Sequence, residues 1–417
     1  MMMKLNKNIF GWMAYDFANS SFTTIIVTVV YSVYFKSVVV GDRGDGSFLW
    51  GLAIAISMLL VAITAPVFGA VADYSRAKKK FLFYSTYLSV IFTCLLGFVG
   101  PGSIFTGMLF FILANFGFHS AIVFYDSFLP EIATPKEFGR VSGFGWAFGY
   151  LGGLLSLVFA LLLVNAKKTT WVFPMVGVYY GLFAIITFVL LKEFKRESKR
   201  TNYFKIAYKR ISSSFSSIRS FKDLGTFLLS YFLYNDAIAT AIGFTMIYGQ
   251  ERYGMTSAES IKVFIFAQLT SILGAFIFGF IADKIGHKKT LSICLLIWLS
   301  VIVWAFLSPS KKDYYVVILL AGFAIGSTQA NSRAMLASLT PQSKNAEFFG
   351  FYTVTGRMSA IIGPILFGLV SKWTGNIKYS ILTVIPFFLI GLVVLQLVNE
   401  SRGQTNAQKW VSEDVDN

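Results

Sequence analysis

Twelve long apolar runs leave this chain few ways to fold. They lie at 9–36, 48–72, 81–100, 103–129, 139–165, 170–191, 222–249, 257–282, 288–308, 313–338, 345–371 and 376–399. A run of about 18 apolar residues or more is long enough to cross a hydrocarbon layer as a helix. No water there can satisfy backbone N–H and C=O groups, so a crossing segment must be a helix or part of a closed barrel. These runs are continuous rather than alternating, which argues against a barrel. With 417 residues, 56% hydrophobic and 13% charged, the chain also lacks the polar surface of a soluble protein. The expected fold is an all-α polytopic membrane protein with twelve transmembrane helices.

One phrase occurs twice, 210 residues apart, each time between two apolar runs. The first copy is Gly69-Ala-Val-Ala-Asp73-Tyr-Ser-Arg76-Ala-Lys78-Lys79-Lys80, and the second is Gly279-Phe-Ile-Ala-Asp283-Lys284-Ile-Gly286-His287-Lys288-Lys289. A repeat of half the chain length, carried on apolar segments, implies two copies of one six-helix bundle related by pseudo-symmetry. The expected divisions are an N-terminal bundle (1–191), a polar linker (192–221), a C-terminal bundle (222–400) and a tail (401–417). The linker suits an amphipathic helix around Tyr203–Ile211, and the polar tail reads as disordered. Trp12, Trp50, Trp171 and Trp373 stand near run ends, where interfacial anchors sit.

The net charge of +16 invites a nucleic-acid reading, but its distribution opposes one. Of the 36 Lys and Arg residues, 24 fall on the side holding both termini, ten on the other side, and Arg333 and Arg357 inside apolar runs. That asymmetry is the positive-inside pattern, so both termini are expected in the cytoplasm and the basic charge facing lipid headgroups. The first run contains Asp16 and is too long for a cleaved leader. Cys94 and Cys294 fall mid-run and suggest neither a disulfide nor a metal site.

Taken together, the six-plus-six arrangement, the long central linker and the doubled Gly-x-x-x-Asp phrase resemble the major facilitator superfamily. The second copy follows the superfamily phrase well. The first departs from it, with Arg76 at the usual glycine and Tyr74 at the first basic position. Within the superfamily the chain resembles the vacuole-effluxer family and its bacterial relatives. That likeness rests on Trp12-Met-Ala-Tyr15-Asp16-Phe-Ala-Asn19-Ser20, Tyr125-Asp126-Ser-Phe-Leu-Pro130-Glu131, Gly139-Arg140-Val-Ser142-Gly-Phe-Gly-Trp146-Ala-Phe-Gly149 and Glu347-Phe-Phe-Gly350. The resemblance implies a secondary carrier of small solutes in a bacterial cytoplasmic (inner) membrane. Amino acids are the substrates associated with the fungal members. It also implies that helices one, four, seven and ten line a central cavity.

Charged or polar groups inside apolar runs are expensive, so each asks for a reason. In run four, Asn115, His119 and Asp126 share one helical stripe. They form either a wet, proton-exchanging face or a structural hydrogen-bond network. Run one offers Tyr15, Asp16 and Asn19, and run seven Asn235 and Asp236. Carboxylates facing one cavity from both halves are candidates for proton coupling, with a cap or gate salt bridge as the alternative for Asp16. Gln329 and Arg333 in run ten, Arg357 in run eleven and Gln268 in run eight are candidate substrate ligands; an Arg fork suits an anionic group. Structural pairs are the alternative: Asp126 with Arg333, and Asp236 with Arg357.

Asp73, Arg76, Glu131, Arg140, Asp283 and Lys284 form a candidate cytoplasmic gate. Each phrase aspartate is expected either to accept backbone N–H groups at a neighbouring helix start or to pair with a nearby cation. Simple topological retention by the basic residues is the other reading. Gly145, Gly149 and Gly153 share a face in run five and mark close helix contact, static or sliding. No nucleophile, metal cluster or phosphate-cradling loop is found, so no enzyme activity and no cofactor is expected. The expected partners are a small-molecule substrate, protons and lipid, with no nucleic acid, and the carrier is expected to be a monomer. The competing function is export of amphipathic drugs or lipids, suggested by the 44 phenylalanines.

Overall fold

A computed structural model describes residues 6–41, 46–75, 77–193 and 221–410. The side chains of 47, 257, 258, 260 and 261 lie outside the described set, as do Arg76 and the amphipathic helix expected around 203–211. Among the described residues, twelve helices are long and apolar enough to cross a membrane: span one Lys7–Val40, two Phe48–Ser75, three Lys78–Phe98, four Ile104–Ile132, five Phe138–Asn165, six Thr169–Leu190, seven Lys222–Tyr253, eight Lys262–Ile285, nine His287–Leu307, ten Lys311–Leu339, eleven Gln342–Thr374 and twelve Ile377–Gln396. The all-α, twelve-span expectation holds.

The chain divides into two compact units. The first takes in the described residues of Met1–Ile132, Phe148–Ile211 and Lys344–Thr353, and the second those of Ala133–Ala147, Ser212–Ser343 and Val354–Asn417. Each unit is a helical bundle that borrows one short segment. The opening turns of span eleven pack with the N-terminal helices, and those of span five with the C-terminal ones.

Within the first unit, span one lies on six, two on four, and three on four and six. Within the second, span seven lies on twelve, eight on ten, and nine on ten and twelve. The same pairing pattern therefore recurs, as duplication of one bundle requires.

Spans one and eleven depart from regular α geometry in different ways. Span one widens into π turns at Phe22–Val29 and Phe35–Val40; Val30 N–H reaches the Ile25 carbonyl, five residues back, at 2.8 Å. Span eleven is discontinuous. One helix runs Asn345–Ser359 and a second Ile362–Thr374. Pro364 accounts for the interruption: it offers no N–H to the carbonyl of Ala360, and its ring crowds that carbonyl. In the first turn of a new helix the missing N–H is harmless.

Two expectations are corrected. The polar tail is helical over Glu400–Lys409. Its order comes from charged contacts that composition hides: Arg402 grips Asp223 at 2.7 and 2.8 Å, and Glu400 accepts the N–H groups of His287 and Lys288 at 2.9 and 3.0 Å. Trp12 is no interfacial anchor. It is fully buried, donates to the Tyr125 carbonyl at 2.9 Å and stacks on the Tyr125 ring.

Candidate functional site

In the first unit, Asp16 and Asn19 on span one and Asn115, His119 and Asp126 on span four are all buried. Their residue types are poor choices for a hydrocarbon setting, and two of them, Asn19 and Asn115, keep a buried polar atom without a hydrogen-bond partner. Asn115 donates its amide to Ser57 Oγ on span two at 2.7 Å, while its Oδ1 has no hydrogen-bond partner. The Nδ2 of Asn19 has none either. One unmet acceptor and one unmet donor thus stand buried on spans four and one, each costing about 1–3 kcal/mol unless a ligand or water serves it.

Beside them, Ser20 folds back on the Asp16 carbonyl at 2.8 Å. Gly149 lies so close that a Cβ there would stand 2.9 Å from Ser20 Oγ.

Tyr15 is placed differently from its run-one neighbours. Its hydroxyl sits 2.6 Å from Thr86 Oγ1 and 2.7 Å from the Tyr180 hydroxyl, on spans three and six. With the Tyr125 ring stacked at 4.7 Å, Tyr15 is a buried packing joint. Adjacent residues on a helix point about 100° apart, so Tyr15 does not share the face of Asp16.

In the second unit, Arg333 on span ten is buried and turned toward the opening of span five. Its Nε donates to Ser142 Oγ and its Nη2 to the Ser142 carbonyl, both at 2.9 Å. The guanidinium lies 5.4 Å from the centre of the Trp146 ring. A planar fork and an aromatic face together position this cation better than a lysine could be held. Gln329, one turn earlier, and Gln268 on span eight are half-buried.

Asn235 and Asp236 on span seven face the interruption in span eleven. Asn235 Nδ2 donates to the Gly356 carbonyl at 2.9 Å and to Ser359 Oγ at 2.8 Å. Asp236 Oδ2 accepts the Gly363 N–H at 2.8 Å. The expected Asp236–Arg357 pair is not formed. Arg357 is exposed in the last turn of the first half-helix, and Asp236 instead serves a backbone N–H at the start of the second.

The duplicated phrase has one geometry in both units. In the first, Asp73 Oδ2 accepts the Glu347 N–H at 3.0 Å, in the opening turn of span eleven's first helix. In the second, Asp283 accepts the N–H groups of Gly139 at 2.8 Å and Arg140 at 3.3 Å, in the opening turn of span five. Each aspartate is a carboxylate cap on a helix start, where unpaired N–H groups and the helix dipole favour negative charge. The phrase glycine makes room. A Cβ on Gly69 would stand 2.5 Å from the Ala346 carbonyl oxygen, and one on Gly279 would stand 2.8 Å from that of Gly139.

The cations differ between the copies. Lys78 is buried between Asp73 at 2.9 Å and Glu131 at 2.6 Å. Arg140 lies 3.5 Å from Asp283 and pairs with Glu137 at 2.6 Å. The Thr134 hydroxyl, helped by Arg140, holds Glu137 below the usual carboxylate range. Lys284 is exposed.

From the sequence, Lys78 reads as one of a basic run and Ser142 only as part of a family motif. A signal for Lys78 exists: it is the first lysine after the first copy's Arg76. Nothing local marks Ser142, whose role depends on Arg333, 191 residues away.

The sequence model for the family described as "Vacuole effluxer Atg22 like" matches residues 38–408. The MFS-type transporter YxiO of Bacillus subtilis (strain 168) is 28% identical, over 98% of this chain and 99% of its own length. Autophagy-related protein 22 of Kluyveromyces lactis is 23% identical, over 87% of this chain and 81% of its own. Among solved structures, the human organic anion transporter MFSD10 (TETRAN) superposes with a TM-score of 0.78 at 15% identity. That alignment covers 94% of this chain and 99% of MFSD10, a likeness of fold.

Proposed function

We propose that this chain, which belongs to the vacuole effluxer Atg22-like family of major facilitator transporters, carries an amino acid or a related small polar metabolite by proton-coupled alternating access. The observation that carries the reading is the set of buried, incompletely matched polar groups on spans one and four. The Asn19 donor and the Asn115 acceptor lack partners, and the carboxylates of Asp16 and Asp126 are buried on the same two spans. A solute with its own donors and acceptors answers the unmet amides, and a proton answers a buried carboxylate.

Asp73 and Asp283 act as paired latches. Each ties a helix start into the unit that holds it, and releasing both frees the opening turns of spans five and eleven. The excess of basic residues on the side of the termini supports a cytoplasmic position for both, in the inner membrane of a bacterial cell.

The test begins with thermal unfolding of the purified chain against L-amino acids, dipeptides, sugars and organic anions; a true ligand raises stability by mass action. The stabilising compound is then followed in proteoliposomes under an imposed pH gradient. Gradient-driven flux that falls in Asp16→Asn and Asp126→Asn supports the proposal. Flux indifferent to the gradient and to both substitutions removes proton coupling, and stabilisation by amphipathic drugs alone removes the polar solute.

A further inference from the structure

The dipeptide Asn235-Asp236 deals separately with the two ends of the interruption in span eleven. Asn235 holds the end of the first half-helix through the Gly356 carbonyl and Ser359. Asp236 caps the start of the second at Gly363. The fit leaves no slack: a Cβ on Gly363 would collide with Thr240 Oγ1 and stand 3.0 Å from Asp236 Oδ2. The Thr240 hydroxyl in turn donates to the Asp236 carbonyl at 2.8 Å.

Asp236 is 0% exposed, and its Oδ1 has no hydrogen-bond partner. No charged group on the packed spans ten, eleven and twelve, Arg333, Arg357 and Lys378 included, forms a described ion pair with it; its one described side-chain partner is the Gly363 N–H. A helix start offers only about half an elementary positive charge against a full carboxylate charge. A buried charge left half-compensated calls for a cation or for neutralisation.

We propose that Asp236 Oδ1 is the binding site of one small monovalent cation, a proton or Na⁺, and that its occupancy sets how firmly the second half of span eleven is held. The inference rests on the reading of the chain as a coupled carrier, and it adds a cation site on span seven to the carboxylates of spans one and four. Protonation forms an O–H bond at Oδ1 and removes the charge that caps Gly363, so the second half-helix loosens. Na⁺ keeps the carboxylate ionised, so the same segment tightens.

Hydrogen exchange of the full chain in nanodiscs separates these arms. It is read over 359–366 at pH 6 and pH 8, in NaCl or N-methylglucamine chloride, and normalised for intrinsic rates. For a proton site, exchange rises about five- to tenfold on acidification, and Asp236→Asn shows the acid-state value at both pH values. For a Na⁺ site, NaCl at pH 8 lowers exchange saturably in the wild type and leaves Asp236→Asn unchanged. If Asp236→Asn does not fold, Asp236→Glu takes its place, and its displaced carboxylate shifts the midpoint of the response. Exchange that ignores both pH and Na⁺ overturns the site, as does a response that persists in Asp236→Asn or an unmoved midpoint in Asp236→Glu. None of these readouts needs transport. A cation response without cation-driven flux therefore refutes the coupled-carrier reading and leaves the site standing.

Discussion

Asp73 and Asp283 occupy equivalent places in the duplicated phrase, yet their substitution by asparagine should have unequal consequences. Asparagine keeps an acceptor for the capped N–H and loses the charge, a change of about 0.5–1 kcal/mol at either site. The difference lies in what each carboxylate neutralises. Lys78 is 5% exposed and depends on Asp73 at 2.9 Å and Glu131 at 2.6 Å. Removing one partner of a buried ion pair costs about 3–5 kcal/mol, and the remaining Glu131 places this case at the low end. Arg140 is only partly buried and keeps Glu137 at 2.6 Å, so losing Asp283 at 3.5 Å adds about 1 kcal/mol or less. Asp73→Asn should therefore cost about 2 kcal/mol more than Asp283→Asn, roughly thirtyfold in a local opening equilibrium. Hydrogen exchange reads this directly, at Glu347 and Phe348 for the first variant and at Gly139 and Arg140 for the second. Asp73→Asn combined with Lys78→Met should recover most of the loss, because the stranded cation is gone. Equal effects at the two sites, or no recovery in the double variant, would refute the argument from the buried triad.

Three further outcomes follow from the same contacts. Arg333→Lys should lower stability by about 1–3 kcal/mol, because one ammonium cannot reproduce the two-point grip on Ser142 and the stack on Trp146; an unchanged unfolding temperature contradicts this. Glu400→Ala should raise hydrogen exchange at His287 and Lys288 about five- to tenfold, the effect of losing a cap, and exchange at Glu347 should stay put. The third concerns pH. Glu137 has a lowered folded pKa, so its contribution is present above the ordinary glutamate range and is lost as pH falls through that lowered value. Acidification below about pH 4 should loosen residues 134–141 more in the wild type than in Glu137→Gln, since 4.3 is the unperturbed glutamate value. Identical profiles would assign the acid sensitivity to another group.

The parts of this protein that could be read from its sequence are those imposed by the solvent. Hydrocarbon demands long continuous helices, and duplication repeats both their order and the phrase between them, so twelve spans and a twofold bundle follow from one-dimensional patterns. What escaped is what one part of the chain does to a distant part. Pro364 announces an interruption, but whether span eleven kinks or splits depends on Asn235 and Asp236, more than a hundred residues earlier. The same remoteness explains the wrong partner for Asp236. A buried aspartate and a buried-looking arginine suggest an ion pair by charge alone. A discontinuous helix, however, creates a competing ligand, the free N–H of Gly363, that no charge count contains. The tail failed for a related reason. Its polar composition describes its own residues, whereas its order comes from Asp223 and the start of span nine. The misreadings of Asp236 and of the tail thus both involve a backbone group exposed at a helix end and satisfied from elsewhere. Such ends are also where a carrier can change shape without unfolding its spans, so the contacts hardest to read from sequence are the ones that transport has most use for.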